Sequence, residues 1–179
     1  MTPQDLQALG SASAELMAYF RRGHTLGTLL GVSRQPQEQL YLLAHRLYGQ
    51  AKYGEAGHIF GLLVTANHLD RRFALGSAAC ARMERRHNDA IGYYGMAFLL
   101  DMTDPEPPIY MAEHLLALGE RAKARQMLDH GLVQARHHAR HHAHVPRLQA
   151  LLALLGAPPD GAPGAAPPTD SPAPLKEQA

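Results

Sequence analysis

The chain of 179 residues has a single cysteine, Cys80, and no tryptophan. One thiol excludes an internal disulfide framework and any zinc site built on cysteines. Excess charge is also missing: 17 Lys and Arg against 16 Asp and Glu leave a net charge of +1. Bulk electrostatics therefore give no reason to expect a nucleic-acid partner. No apolar run approaches the roughly 18 residues of a membrane-spanning helix. Met1 to Asp5 show no basic stretch leading into an apolar one, so a secretory leader is not expected. These absences predict a soluble cytoplasmic protein that does not itself insert into a membrane. Gly-rich phosphate loops, His-Glu-x-x-His and Ser-His-Asp patterns are missing too, so no catalytic residues and no cofactor are expected. Proline is absent from Gln37 to Asp104, a stretch of 68 residues also poor in Val, Ile and Thr. That composition disfavours sheet and favours helix.

What is present is a repeat. Shifting the chain by 34 residues places small residues on small residues: Ala44, Ala78 and Ala112 in one column, and Ala56, Ala90 and Ala124 in another. Phe60, Tyr94 and Leu128 form a third column, and Leu47, Ala81 and Leu115 a fourth. A 34-residue period with this pattern is that of the tetratricopeptide repeat, a pair of antiparallel helices. Small residues let the two axes approach, and the bulky residue one turn later fills the gap against the next pair. The expected fold is all-α: three tandem repeats in an α-solenoid, over 37–70, 71–104 and 105–138 (together 37–138). Asp104 and Pro105 suit the N-cap and first position of a helix, and Pro107 and Pro108 are tolerable only in its first turn.

The flanks complete the organisation. Residues 1–36 should hold an N-terminal helix and a connector, with Leu6, Leu9, Ser13, Leu16, Met17 and Phe20 on one face. Residues 139–155 form a His-rich extension and a capping helix opened by Pro146, which buries Leu148, Leu151, Leu152 and Leu155 on the open end of the stack. Residues 156–179 carry seven of the 13 prolines and no apolar periodicity, which predicts a disordered tail.

In a solenoid of helix pairs the first helices line the concave side. Helical spacing then puts Tyr41, His45 and Tyr48 on that side in the first unit. Leu75, Ala79 and Arg82 follow in the second, and Ile109, Glu113 and Leu116 in the third. Aligned aromatics offer rigid apolar area with a hydroxyl, so an extended peptide with Pro or Leu side chains suits this face. Arg82 and Glu113 supply groups for a peptide backbone or its charges.

The segment Gly23-His24-Thr25-Leu26-Gly27-Thr28-Leu29-Leu30-Gly31-Val32-Ser33 precedes the first repeat. After it come Leu40-Tyr41-Leu42-Leu43-Ala44, Tyr48, Lys52-Tyr53, Glu55-Ala56, Arg72-Phe73-Ala74-Leu75-Gly76 and Ala79-Cys80. Together these resemble the class II type III secretion chaperones that escort translocators, over about residues 15–155. The resemblance implies a bacterial cytoplasmic chaperone of hydrophobic translocator proteins, without enzymatic activity. It implies that a translocator segment of Pro-x-Leu-x-x-Pro type lies in the groove on Tyr41 and Tyr48, with Tyr53 nearby. It also implies homodimerisation of the free chaperone through the N-terminal helix, here Leu6, Leu9, Leu16, Met17 and Phe20. The chain departs from the generic repeat at Ala51 and Arg85, where glycine is usual, and at His68, Met102 and Arg136, where proline is usual.

Two other readings stand beside this one. A generic tetratricopeptide adaptor would use the same face for other partners. A metal-binding protein would use His137, His138, His141, His142 and His144, five of the 12 histidines. If that tract is helical, His137/His141 and His138/His142 are chelating pairs, but no Asp or Glu between Gln134 and Arg147 orients them, so no metal is expected. Cys80, set among alanines, is expected to be a packed core residue.

Overall fold

The computed structural model describes residues 14–156. Every regular element among them is helical, as the proline-poor, alanine-rich composition dictates. Residues 14–21 are helical (α1), and a short α2 spans Leu26–Leu29. Three antiparallel pairs follow: α3 (Arg34–Gly49) with α4 (Tyr53–Ala66), α5 (Arg71–Met83) with α6 (His87–Leu100), and α7 (Glu106–Ala117) with α8 (Arg121–His137). A 3₁₀ turn over Ala139–His144 leads into α9 (Val145–Leu155). From α3 to α9 each helix packs on its successor, α3 also touches α5, and α2 rests on α4.

Local chemistry sets the boundaries. Thr25 and Thr28 form a capping box on α2, in which each side chain bonds the other's backbone amide. Asp70 accepts from the Arg72 amide at 3.0 Å, and Asp104 accepts from the Glu106 amide at 2.9 Å. The two acids that close the sequence units thus cap the helices that open the next. Pro107 and Pro108 sit in the first turn of α7, where their missing donors cost nothing, and both are buried. The turns inside the three pairs share one device: Ala51, Arg85 and Gly119, one repeat apart, all have positive φ, at 61°, 57° and 79°.

The repeat columns form the spine of the core. Ala44, Ala56, Ala78, Ala90 and Ala124 are fully buried, and Ala112 is 1% exposed. Phe60, Tyr94 and Leu128 fill the spaces those alanines leave. Ion pairs one repeat apart tie first helices to one another: Arg72 to Glu38 at 2.6 Å, and Arg147 to Glu113 at 2.6 Å. Leu148 of α9 is fully buried against the third pair, with Leu151, Leu152 and Leu155 packed around it. Arg121 and Arg125 of α8 donate to the carbonyls of Leu155 and Gly156, two acceptors at the open end of α9.

Two expectations change. The histidine tract does not extend α8 as an α-helix. It stops at His137 and continues as a 3₁₀ turn, which breaks the four-residue register that would pair His137 with His141 and His138 with His142. No group of three or more metal-ligating side chains converges among the described residues. Ile109, placed on the concave side by spacing, is fully buried in the third pair. Leu6, Leu9, the first part of the N-terminal helix and the tail beyond Gly156 lie outside the described residues.

Candidate partner-binding face

The first helices α3, α5, α7 and α9 share one face, and a column of residues 34 apart runs along it: His45, Ala79, Glu113 and Arg147. At its near end Tyr41 is half-buried. Its ring meets His45 edge-on at 4.5 Å and Phe60 at 5.9 Å, and the Arg72 guanidinium lies over it at 4.8 Å. Arg72 is itself held by Glu38 and by Asp70, at 2.6 and 2.7 Å. Burial alone would raise the Asp70 pKa, but the Arg72 side-chain and backbone hydrogen bonds bring it below the ordinary value. His45 is exposed.

Further along, Tyr48 packs edge-to-face on Tyr53 at 5.2 Å, so those two rings form one unit across the turn of the first pair. Burial raises the Tyr48 hydroxyl's pKa, and the charge of Arg82 opposes the rise. Leu75 and Ala79 are partly buried between these aromatics and the third pair. Arg82 is exposed and lies over the Tyr110 ring at 4.6 Å. Tyr110 stacks on buried Tyr94 at 5.0 Å, and burial pushes the Tyr94 hydroxyl up to about 12. Glu113 bonds Arg147, whose guanidinium also approaches Tyr110, at 5.7 Å.

Tyr41 and His45 are therefore in contact, as are Tyr48 and Tyr53, while Arg82 and Glu113 belong to a second group around Tyr110. Sequence reasoning missed Tyr110 and Arg147. The signal for Arg147 was available, because it continues the 34-residue column into the capping helix. Tyr110 had no such signal, since its equivalent one repeat earlier is Gly76.

Cys80 is fully buried, and burial pushes its thiol up to about 11, which suppresses the thiolate. No helix among the described residues is long and apolar enough to cross a membrane.

No protein-family model matches the chain. It is 35% identical over 111 residues to the low calcium response locus protein H of Yersinia pestis, covering 62% of this chain and 66% of that relative, just under two thirds of its length. The translocator chaperone SycD of Yersinia enterocolitica superposes with a TM-score of 0.65 at 30% identity, over 73% of this chain and 98% of SycD. PcrH of Pseudomonas aeruginosa, solved with the chaperone-binding region of PopD, superposes with a TM-score of 0.65 at 30% identity, over 70% of this chain and 94% of PcrH. With that identity over nearly the whole of SycD and one helical stack in common, the chain belongs to the type III secretion translocator chaperones.

Proposed function

We propose that this protein holds an extended, apolar segment of a type III secretion translocator on its first-helix face in the bacterial cytoplasm, keeping the partner soluble until export. Tyr41, His45, Tyr48, Tyr53, Leu75, Ala79, Arg82 and Glu113 make the contacts. The observation that carries the reading is the row of partly exposed aromatic rings running from Tyr41 to Tyr53 on a rigid scaffold. Relatives point the same way: PcrH was solved with the chaperone-binding region of PopD, and SycD with a peptide of the translocator YopD. A translocator's membrane-active segments are an aggregation hazard in water, and covering part of them removes it. Nothing in this role needs a catalytic group.

The chaperone when free pairs with a second copy through its N-terminal helix, using Leu6, Leu9, Leu16, Met17 and Phe20. In support, Leu16 and Met17 are 42% and 60% exposed on that helix, a cost in water that a partner copy would relieve. Phe20 meets His68 edge-on at 6.2 Å, which anchors the end of the helix to the repeats. SycD has likewise been solved as an alternative dimer.

The test is copurification from the source bacterium of wild type and of a Tyr41→Ala/Tyr48→Ala variant, with circular dichroism to show that both are folded. Large secreted proteins with apolar segments should appear with the wild type and vanish with the variant. Their persistence with the folded variant would remove the groove assignment. Recovery of unrelated cytoplasmic proteins alone would favour a general adaptor. A Leu16→Glu/Met17→Glu variant should sediment as a monomer where the wild type is a dimer.

A further inference from the structure

We propose that the bound partner segment places an acidic side chain, Asp or Glu, on Arg82, and that Arg82 makes the groove selective for it; the inference rests on the groove reading above. Three guanidinium groups lie over aromatic rings on this face: Arg72 over Tyr41, and Arg82 and Arg147 over Tyr110. Two of them are already neutralised. Arg72 is bonded to both Glu38 and Asp70, and Arg147 to Glu113. Arg82 makes no ion pair among the described residues.

Its surroundings favour a carboxylate over other ligands. The Tyr110 ring, 4.6 Å away, supports one face of the guanidinium, and Tyr110 is in turn backed by Tyr94 at 5.0 Å. The Tyr94 and Tyr110 hydroxyls engage part of the guanidinium's edge and favour its charged form, and the donors left among its five suit the oxygens of a carboxylate. Stacking also orders the long side chain beforehand, which lowers the cost of binding. The charge of Arg82 reaches the Tyr48 hydroxyl, so the cation sits between the aromatic group of the first pair and that of the third. Glu113 does not compete, because Arg147 holds it at 2.6 Å. A segment that lays apolar side chains on Tyr41 and Tyr48 and continues toward α7 therefore meets one unpaired cation between two rings. Charge complementarity then asks for an acid just beyond the apolar anchors.

The test uses the full chain and short acetylated, amidated peptides of Leu, Pro and Ala in which one Asp, its isostere Asn, or Lys is scanned along the segment. Blocked ends exclude a terminal carboxylate as the ligand. Fluorescence anisotropy at low and high salt gives affinities. At one position the wild type should favour Asp over Asn by roughly tenfold, and the preference should shrink with salt. Arg82→Gln should bring the two affinities together, Arg82→Lys should retain part of the preference, and Arg82→Glu should turn it toward the Lys peptide. Equal binding of Asp and Asn peptides by the wild type, or a preference that survives Arg82→Gln, overturns the proposal. The groove reading fails separately: in that case binding of every peptide is unchanged by Tyr41→Ala/Tyr48→Ala. Equal Asp and Asn affinities that do depend on the tyrosines sink only the acid preference, and no binding across the scan sinks both.

Discussion

The two junctions between successive helix pairs occupy equivalent places one repeat apart, yet they are filled in opposite ways. Where α4 meets α5, Phe60 inserts its ring over Gly76; a Cβ there would lie 2.5 Å from two ring carbons. Buried Cys80 completes that apolar junction. Where α6 meets α7, Tyr94 takes the place of Phe60, Tyr110 that of Gly76 and His114 that of Cys80. Two rings now stack at 5.0 Å instead of one entering a hollow. His114 Nδ1 lies 2.9 Å from His87 Nδ1, so one ring carries the proton that the other accepts. A single backbone period therefore supports a dry, interlocked joint and a polar, stacked one. The difference places Tyr110 and Arg82 at the surface of the second joint, where a partner can reach them.

The largest expected effect comes from closing the hollow of the first joint. Gly76→Ala should cost about 2–3 kcal/mol, since Phe60 is 1% exposed and has nowhere to move. Urea unfolding measures this, and adding Phe60→Leu should recover part of the loss. At the matching position of the second joint, Tyr110→Ala should cost less, about 1–2 kcal/mol, because it removes a half-exposed stacked ring and forces nothing apart. Equal costs would mean that the joints are not built differently.

Acid should separate the joints next. Burial, then His87, then Arg82 hold the His114 pKa below its ordinary value, with Glu113 opposing. The unfolded chain then takes up the proton first as pH falls. The stabilising contribution is complete above about pH 6.5 and is lost as pH drops through the range down to the folded value. Melting temperatures should fall as the pH drops below about 6.5, and His114→Gln should flatten that slope. A slope identical in the variant would show that other histidines carry it.

The smallest expected effect lies in the turns within pairs, which are alike where the joints differ. Ala51 and Arg85 adopt the left-handed conformation that Gly119 adopts without strain. Ala51→Gly and Arg85→Gly should each stabilise by about 0.5–1 kcal/mol, and Gly119→Ala should destabilise by a similar amount.

These contrasts show what was legible in the sequence. The alanine columns and the bulky column beside them predicted the stack, because close approach of helices demands small residues at every repeat. Pro146 and the leucines after it likewise marked the capping helix. Periodicity was a poorer guide to the positions where repeats differ. It placed Ile109 outside, although the prolines at the start of α7 and the cover from α9 bury it. It allowed an α-helical histidine tract, although α8 ends at His137. The absence of glycine at positions 51 and 85 looked like a departure from the repeat, but both residues take the glycine conformation. On the candidate face, Tyr41, His45 and Tyr48 could be found from spacing, while Tyr53 came with the family resemblance. The second group could not, because it depends on Tyr110 replacing a glycine and on Arg147 reaching back from beyond the last repeat.

The grip of Arg121 and Arg125 on the final carbonyls of α9 has a practical consequence. It fastens the capping helix to the third pair at its far end, as Leu148 does in its middle. A chain shortened to end at Gly156 keeps both acceptors, whereas one cut before Leu155 loses them and leaves the two guanidinium groups without those partners.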